Sequence, residues 1–85
     1  PKTIAENRIC LAYYPNEIRY LRNLGDLYLQ SAHLEKAKEY FQRVKRLDPM
    51  HVHAHSKLIE IDSVYESYEW NEKGKKYRYH IKYLR

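Results

Sequence analysis

Apolar side chains recur at helical intervals in two neighbouring stretches of this chain. In the first, Leu21, Leu24, Gly25 and Tyr28 fall at i, i+3, i+4 and i+7, a spacing that lines up one face of a helix. Asn16 follows Pro15 just before that stretch and is the expected N-cap. The pattern lapses at Ser31-Ala32-His33 and resumes as Leu34, Ala37, Phe41 and Val44, flanked by Tyr40 and Leu47. On the outer side of this second helix Glu39 and Arg43 stand one turn apart and can support each other. Pro49 denies Asp48 the helical conformation and is expected to stop the helix there. Two helices joined by so short a link must be antiparallel neighbours, an αα-hairpin.

Gly25 is the anomaly in this pattern, because glycine inside a helix costs about 1 kcal/mol relative to alanine. It lies on the stripe that faces the second helix, so the expected return is a close approach of the two backbones. Ala37 is the small residue expected to oppose it, with Tyr28 and Phe41 filling the volume beside the contact.

Weaker patterns flank the hairpin. Ile4, Ile9, Leu11 and Tyr13 can supply the buried face of a helix over residues 1–14. Leu58, Ile61, Tyr65 and Tyr68 mark a helical stripe over residues 52–70. Asn-Glu-Lys-Gly-Lys-Lys at 71–76 is expected to break it, with Gly74 as the stop. Beyond the break the tail reads two ways. Tyr77, Tyr79, Ile81 and Tyr83 alternate with polar residues as a strand does, whereas Tyr77, Ile81 and Leu84 share a helical face.

Leu24-Gly25, Tyr28, Ala37, Phe41 and Pro49 stand at the spacing that marks a tetratricopeptide repeat, and Pro15 precedes Pro49 by 34 residues, the length of that unit. The chain resembles that family over residues 16–49, about two-fifths of its length. Leu21 stands where the pattern often has Trp, and Val44 where it usually has Ala. The resemblance implies an all-α fold of antiparallel helix-turn-helix repeats, an α-solenoid segment. Residues 1–14 would be the second helix of a partial preceding repeat and 15–49 one complete repeat. Residues 50–72 would be a following, capping helix, and 73–85 a basic, tyrosine-rich tail. Stepping one period back from Ala37 and Phe41 reaches Thr3 and Asn7, and one forward from Gly25 and Tyr28 reaches Ile59 and Asp62. Neither pair matches the pattern. The segment therefore reads as the end of an array, and its start at Pro1-Lys2-Thr3 as that of a piece of a longer protein.

Composition adds little to the fold but restricts function. At 85 residues and 44% hydrophobic, the chain has room for one small helical core. Cys10 has no partner for a disulfide, which leans towards an intracellular, reducing compartment, cytoplasmic or nuclear. No apolar run is long enough to cross a bilayer, so no membrane insertion is expected. A phosphate loop, a Cys/His pair and a nucleophile elbow are all missing, and Glu66 and Glu69 look like solvated surface charge. Neither catalysis nor a cofactor is expected. His51, His53 and His55 alternate, but two imidazoles one turn apart lack the third and fourth ligands of a stable zinc site, so no metal is expected either.

The net charge of +5 is uneven: residues 1–70 are neutral, and six cations face only Glu72 in the last fifteen residues. Two binding surfaces follow. In the tetratricopeptide architecture the first helix of each unit lines a concave groove that takes a partner peptide, helix or subunit. Here that implies Arg19, Arg22, Asn23, Asp26 and Gln30 on one helix and His53, Ser56, Lys57 and Glu60 on the next. Some members of the family grip the C-terminal carboxylate of heat-shock chaperones there. Asn23 and Lys57 match two positions of that clamp, His53 replaces a third, and Asp26 departs from it. The second surface is the tail. Lys73, Lys75, Lys76, Arg78 and Lys82 among tyrosines could neutralise phosphates while the rings stack on bases, which makes RNA or DNA the alternative partner.

Overall fold

The computed structural model describes residues 2–74, with side chains to residue 64, as four α-helices. They are α1 (Ile4–Tyr13), α2 (Ile18–Gln30), α3 (Leu34–Leu47) and α4 (Val52–Gly74). No strand occurs among the described residues.

Each helix starts and stops for a local reason. At α1, Thr3 Oγ1 accepts from the Glu6 amide at 3.0 Å, while Glu6 Oε1 accepts from the Thr3 amide at 3.2 Å and from the Lys2 amide at 2.8 Å. This reciprocal box satisfies the first-turn donors. The Lys2 and Thr3 amides, in that order, hold the Glu6 carboxyl below its ordinary pKa. Asn16 is not the cap of α2. Pro15 and Asn16 form the centre of a turn closed by the Glu17 amide on Tyr14 O at 3.2 Å, and the helix begins one residue later, with Glu17 as a cap without a side-chain bond. Asp48 is extended (φ −140°, ψ 89°) before Pro49 and ends α3 where the proline requires. α4 begins on His51, whose Nδ1 accepts from the Ala54 amide at 3.2 Å. It then runs through residues 71–74, into the segment expected to break it.

The turn from α2 to α3 is the tightest. The His33 amide bonds Tyr28 O at 2.9 Å and the Ala32 amide bonds Leu29 O at 3.0 Å, which places Ala32 at φ 63°. That is a left-handed position where glycine is the usual residue and an L side chain costs about 1 kcal/mol. Ala32→Gly should therefore raise the melting temperature by a few degrees in thermal unfolding followed by circular dichroism. A lower melting point would contradict this reading of the turn.

Contacts in order along the chain fix the directions. Tyr28 stacks on Tyr40 (5.7 Å, 4°), Gly25 meets the Phe41 ring and Arg43 reaches Pro15 O at 3.4 Å, so α2 and α3 run antiparallel. Lys38–Asp62 at 3.2 Å and Phe41–His53 at 5.9 Å show the same for α3 and α4. Tyr14–Tyr20 at 6.4 Å and Asn7–Asn23 at 3.1 Å show it for α1 and α2. Helices adjacent in sequence pack on each other, most extensively α2 on α3.

Leu11, Leu21, Leu24, Ala37, Phe41, Val44, Ala54, Leu58 and Ile61 form one core, with Tyr20, Tyr28 and Tyr40 partly buried against it. The atoms nearest to Gly25 across the hairpin are those of the Phe41 ring. A methyl group built on Gly25 would lie 2.7 Å from two atoms of that ring. Ala37, one turn before Phe41, is fully buried in the same core. On α1 the expected face is half wrong. Leu11 is buried, but Ile9 and Tyr13 are 61% and 77% exposed, and Asn7 is fully buried instead. The buried line of α1 is Ile4, Asn7 and Leu11, one helical stripe with an amide at its centre. Leu47 is exposed, and Arg43 turns to Pro15 and the Tyr40 ring rather than to Glu39.

Candidate partner-binding face

Helices α2 and α4 come together beside α3, and Phe41 explains how. Its ring lies on the bare backbone of Gly25 in α2 and meets the His53 ring of α4 edge-on, at 62° and 5.9 Å. His53 is thereby placed so that its Nε2 donates to Asp26 Oδ1 of α2 at 2.8 Å. The carboxylate can only accept, which fixes the proton on Nε2. The two helices thus meet at one half-buried hydrogen bond above one buried ring.

Of the polar residues expected on this face, Arg22, Asp26 and His53 meet at that contact. Arg22 Nε lies 4.0 Å from the other Asp26 oxygen, one turn away on α2. On α4, Lys57 donates to Glu60 at 3.3 Å. Asn23 is tied back to α1: its Nδ2 donates to Asn7 Oδ1 at 3.1 Å, and Asn7 Nδ2 donates to Thr3 O at 2.8 Å. A buried amide needs such partners, since each unmet polar group costs about 1–3 kcal/mol. Arg19 lies over the Tyr20 ring, 5.2 Å from its centroid, away from the Asp26–His53 centre. Gln30 and Ser56 are exposed.

The electrostatics are those of a mixed-sign surface. Asp26 answers both Arg22 and His53, and Glu60 answers Lys57. Exposed pairs of this kind contribute at most about 1 kcal/mol each. They can be exchanged for contacts to a partner at little cost. Asp26 is also what separates this face from a carboxylate clamp, since a ligand carboxylate near Arg22 would meet a negative charge already in place.

The other two histidines of the alternating set are turned to the backbone. His51 caps α4, and His55 Nε2 donates to Pro49 O. Among the described residues no three His, Cys, Asp or Glu side chains converge as a metal site. No helix among them is long and apolar enough to cross a membrane. Lys73 falls in the last turn of α4, while Lys75, Lys76, Arg78 and Lys82, and with them the helix-or-strand reading of the tail, lie outside the described residues. So do the side chains of Tyr65 and Tyr68.

Sequence reading missed two features. Asn7 is one, although stepping back 34 residues from Phe41 reaches it, and the two side chains are both fully buried. The other is a cleft of about 300 Å³ between α1 and α3, lined by Arg8, Leu11, Ala12, Pro15, Tyr40 and Arg43. Compared with protein-family models, curated proteins and solved structures, the chain finds no match in any of the three.

Proposed function

We propose that this chain is a protein–protein interaction segment, an array of tetratricopeptide-like hairpins that holds a partner peptide, helix or subunit on the α2–α4 face. The observation that supports it most is the Asp26–His53 bond above Phe41. It joins α2 to α4 and brings Arg22, Asp26 and His53 together, which supports reading Asn23 and Lys57 as part of the same polar surface. The consecutive antiparallel packing and the burial of Leu24 and Leu58, one 34-residue period apart, support the repeat reading. The self-paired charges favour a partner that brings both signs over one that brings a lone carboxylate.

Reversing two cations tests this. Arg22→Glu with Lys57→Glu is expected to cut partner co-purification from cells by roughly tenfold or more, a loss of about 1.4 kcal/mol, while the melting curve stays close to that of the unmodified chain. A photo-crosslinking side chain at Ser56 should reach the partner, and one at Lys45, exposed on α3, should not. Deleting residues 75–85 should leave capture intact. Capture that survives the charge reversal but disappears with the tail, and weakens steeply with salt, would point to a nucleic acid instead.

A further inference from the structure

The cleft between α1 and α3 lies on elements that the proposed face does not use. From α1 it takes Arg8, Leu11 and Ala12, from the following turn Pro15, and from α3 Tyr40 and Arg43. It is a shallow, open depression of about 300 Å³, suited to a side chain or two of a peptide rather than to an enclosed small molecule. Its walls combine apolar surface with two guanidinium groups, and the state of those groups is what gives it meaning. On the α2–α4 face Arg22 and Lys57 each have an acidic partner on their own helix. In the cleft neither Arg8 nor Arg43 forms an ion pair among the described residues. Glu39, one turn before Arg43, does not engage it. Arg43 is nevertheless held in place: its guanidinium carbon lies 5.6 Å from the Tyr40 ring centroid, and one terminal nitrogen donates to Pro15 O at 3.4 Å. Guanidinium has five N–H donors, so most of them stay available. Stacking on Tyr40 removes part of the entropy that a free arginine would lose on binding.

We propose that this cleft binds a carboxylate-bearing peptide segment of a partner protein, with an acidic residue next to an apolar one. The apolar side chain rests on Leu11, Ala12, Pro15 and the Tyr40 ring, and the acid lies between Arg8 and Arg43. Forked guanidinium–carboxylate pairs are the strong form of this contact, and Arg and Tyr are the residue types enriched where binding energy concentrates. The charge complementarity is to an anion, since the cleft offers two cations and no lining acid, and its apolar floor suits a carboxylate carried on a peptide beside an apolar side chain. The site is independent of the α2–α4 face, and either reading can fail without the other.

The test uses the full chain and a defined probe, a capped six-residue peptide of alternating Glu and Leu, with a Gln–Leu peptide of the same length as control. Isotope-labelled protein is titrated with each and followed by two-dimensional NMR. The Glu–Leu peptide should shift the Leu11 and Ala12 methyl signals and the Arg43 Nε–H signal, and the Gln–Leu peptide should bind at least tenfold more weakly. Arg8→Glu, at a residue with no ion pair among the described residues, should weaken Glu–Leu binding at least tenfold. Arg43→Lys, which keeps the charge but loses the fork, should weaken it several-fold. Equal binding of both peptides, unchanged binding by Arg8→Glu, or shifts confined to α2 and α4 would each overturn the proposal.

Discussion

Phe41→Ala should come close to unfolding the chain. Phe41 is fully buried and bridges two helices from a third: it belongs to α3, covers Gly25 of α2 and meets His53 of α4. Truncating a buried phenylalanine costs about 3–5 kcal/mol. A domain of this size has a total stability of roughly 4–13 kcal/mol. The expected drop in melting temperature is on the order of 12 °C or more, since each kcal/mol shifts a domain of this size by about 4–8 °C. The loss should also reach function before unfolding is complete, because His53 then loses the ring that sets it over Asp26. Urea unfolding followed by circular dichroism checks the first effect, and partner capture at low temperature checks the second. A variant within 1 kcal/mol of the parent would mean that Phe41 does not hold the helices together.

Gly25→Ala should destabilise the chain even though alanine is the better helix former. Propensity favours the substitution by about 1 kcal/mol. Against it, the new methyl would stand 2.7 Å from two atoms of the Phe41 ring and 2.9 Å from a third. The ring is enclosed on all sides and has no exposed route of escape. Overfilling a packed core costs about 1–3 kcal/mol, so a net loss of up to about 2 kcal/mol is expected. Gly25→Leu, with three more carbons at the same spot, should prevent the hairpin from closing. Chemical denaturation separates the cases, and a Gly25→Ala variant more stable than the parent would show that the ring can move aside.

How far the sequence reveals this molecule depends on how local each feature is. The α2–α3 hairpin was legible because its stripes, its three-residue link and Pro49 are all short-range signals. The reason for Gly25 was legible in kind. A stripe shows that two faces meet, but which atoms come nearest to the glycine, here those of the Phe41 ring, depends on how the helices cross. On α1, four apolar residues suggested one face, but they belong to two. Ile4 and Leu11 continue through Asn7, and the cost of burying an amide is met by Thr3 and Asn23, the latter sixteen residues away. Thr3 and Glu6, by contrast, carry the capping-box spacing openly.

The candidate faces divide in the same way. Period and resemblance named the residues of the α2–α4 face. They did not show that Asp26 would draw His53 to itself, because that pairing joins residues 27 apart. His51, His53 and His55 looked alike in sequence, yet one bridges two helices, one caps its own and one binds a backbone carbonyl. The α1–α3 cleft had no signature at all. Arg8 and Arg43 are ordinary helix-surface cations until α1 and α3 are placed on either side of a shared gap.

The ring on the bare backbone is the point from which the rest follows, and a double-mutant cycle on residues 25 and 41 measures it directly. Urea unfolding would be run on the parent, Gly25→Ala, Phe41→Leu and the double variant. With the ring gone, alanine at position 25 should cost nothing and recover its propensity advantage, so its effect should change sign, giving a coupling of at least about 1 kcal/mol between the two sites. If alanine costs the same in both backgrounds, the glycine is not there to admit Phe41, and the joined α2–α4 face lacks the foundation described here.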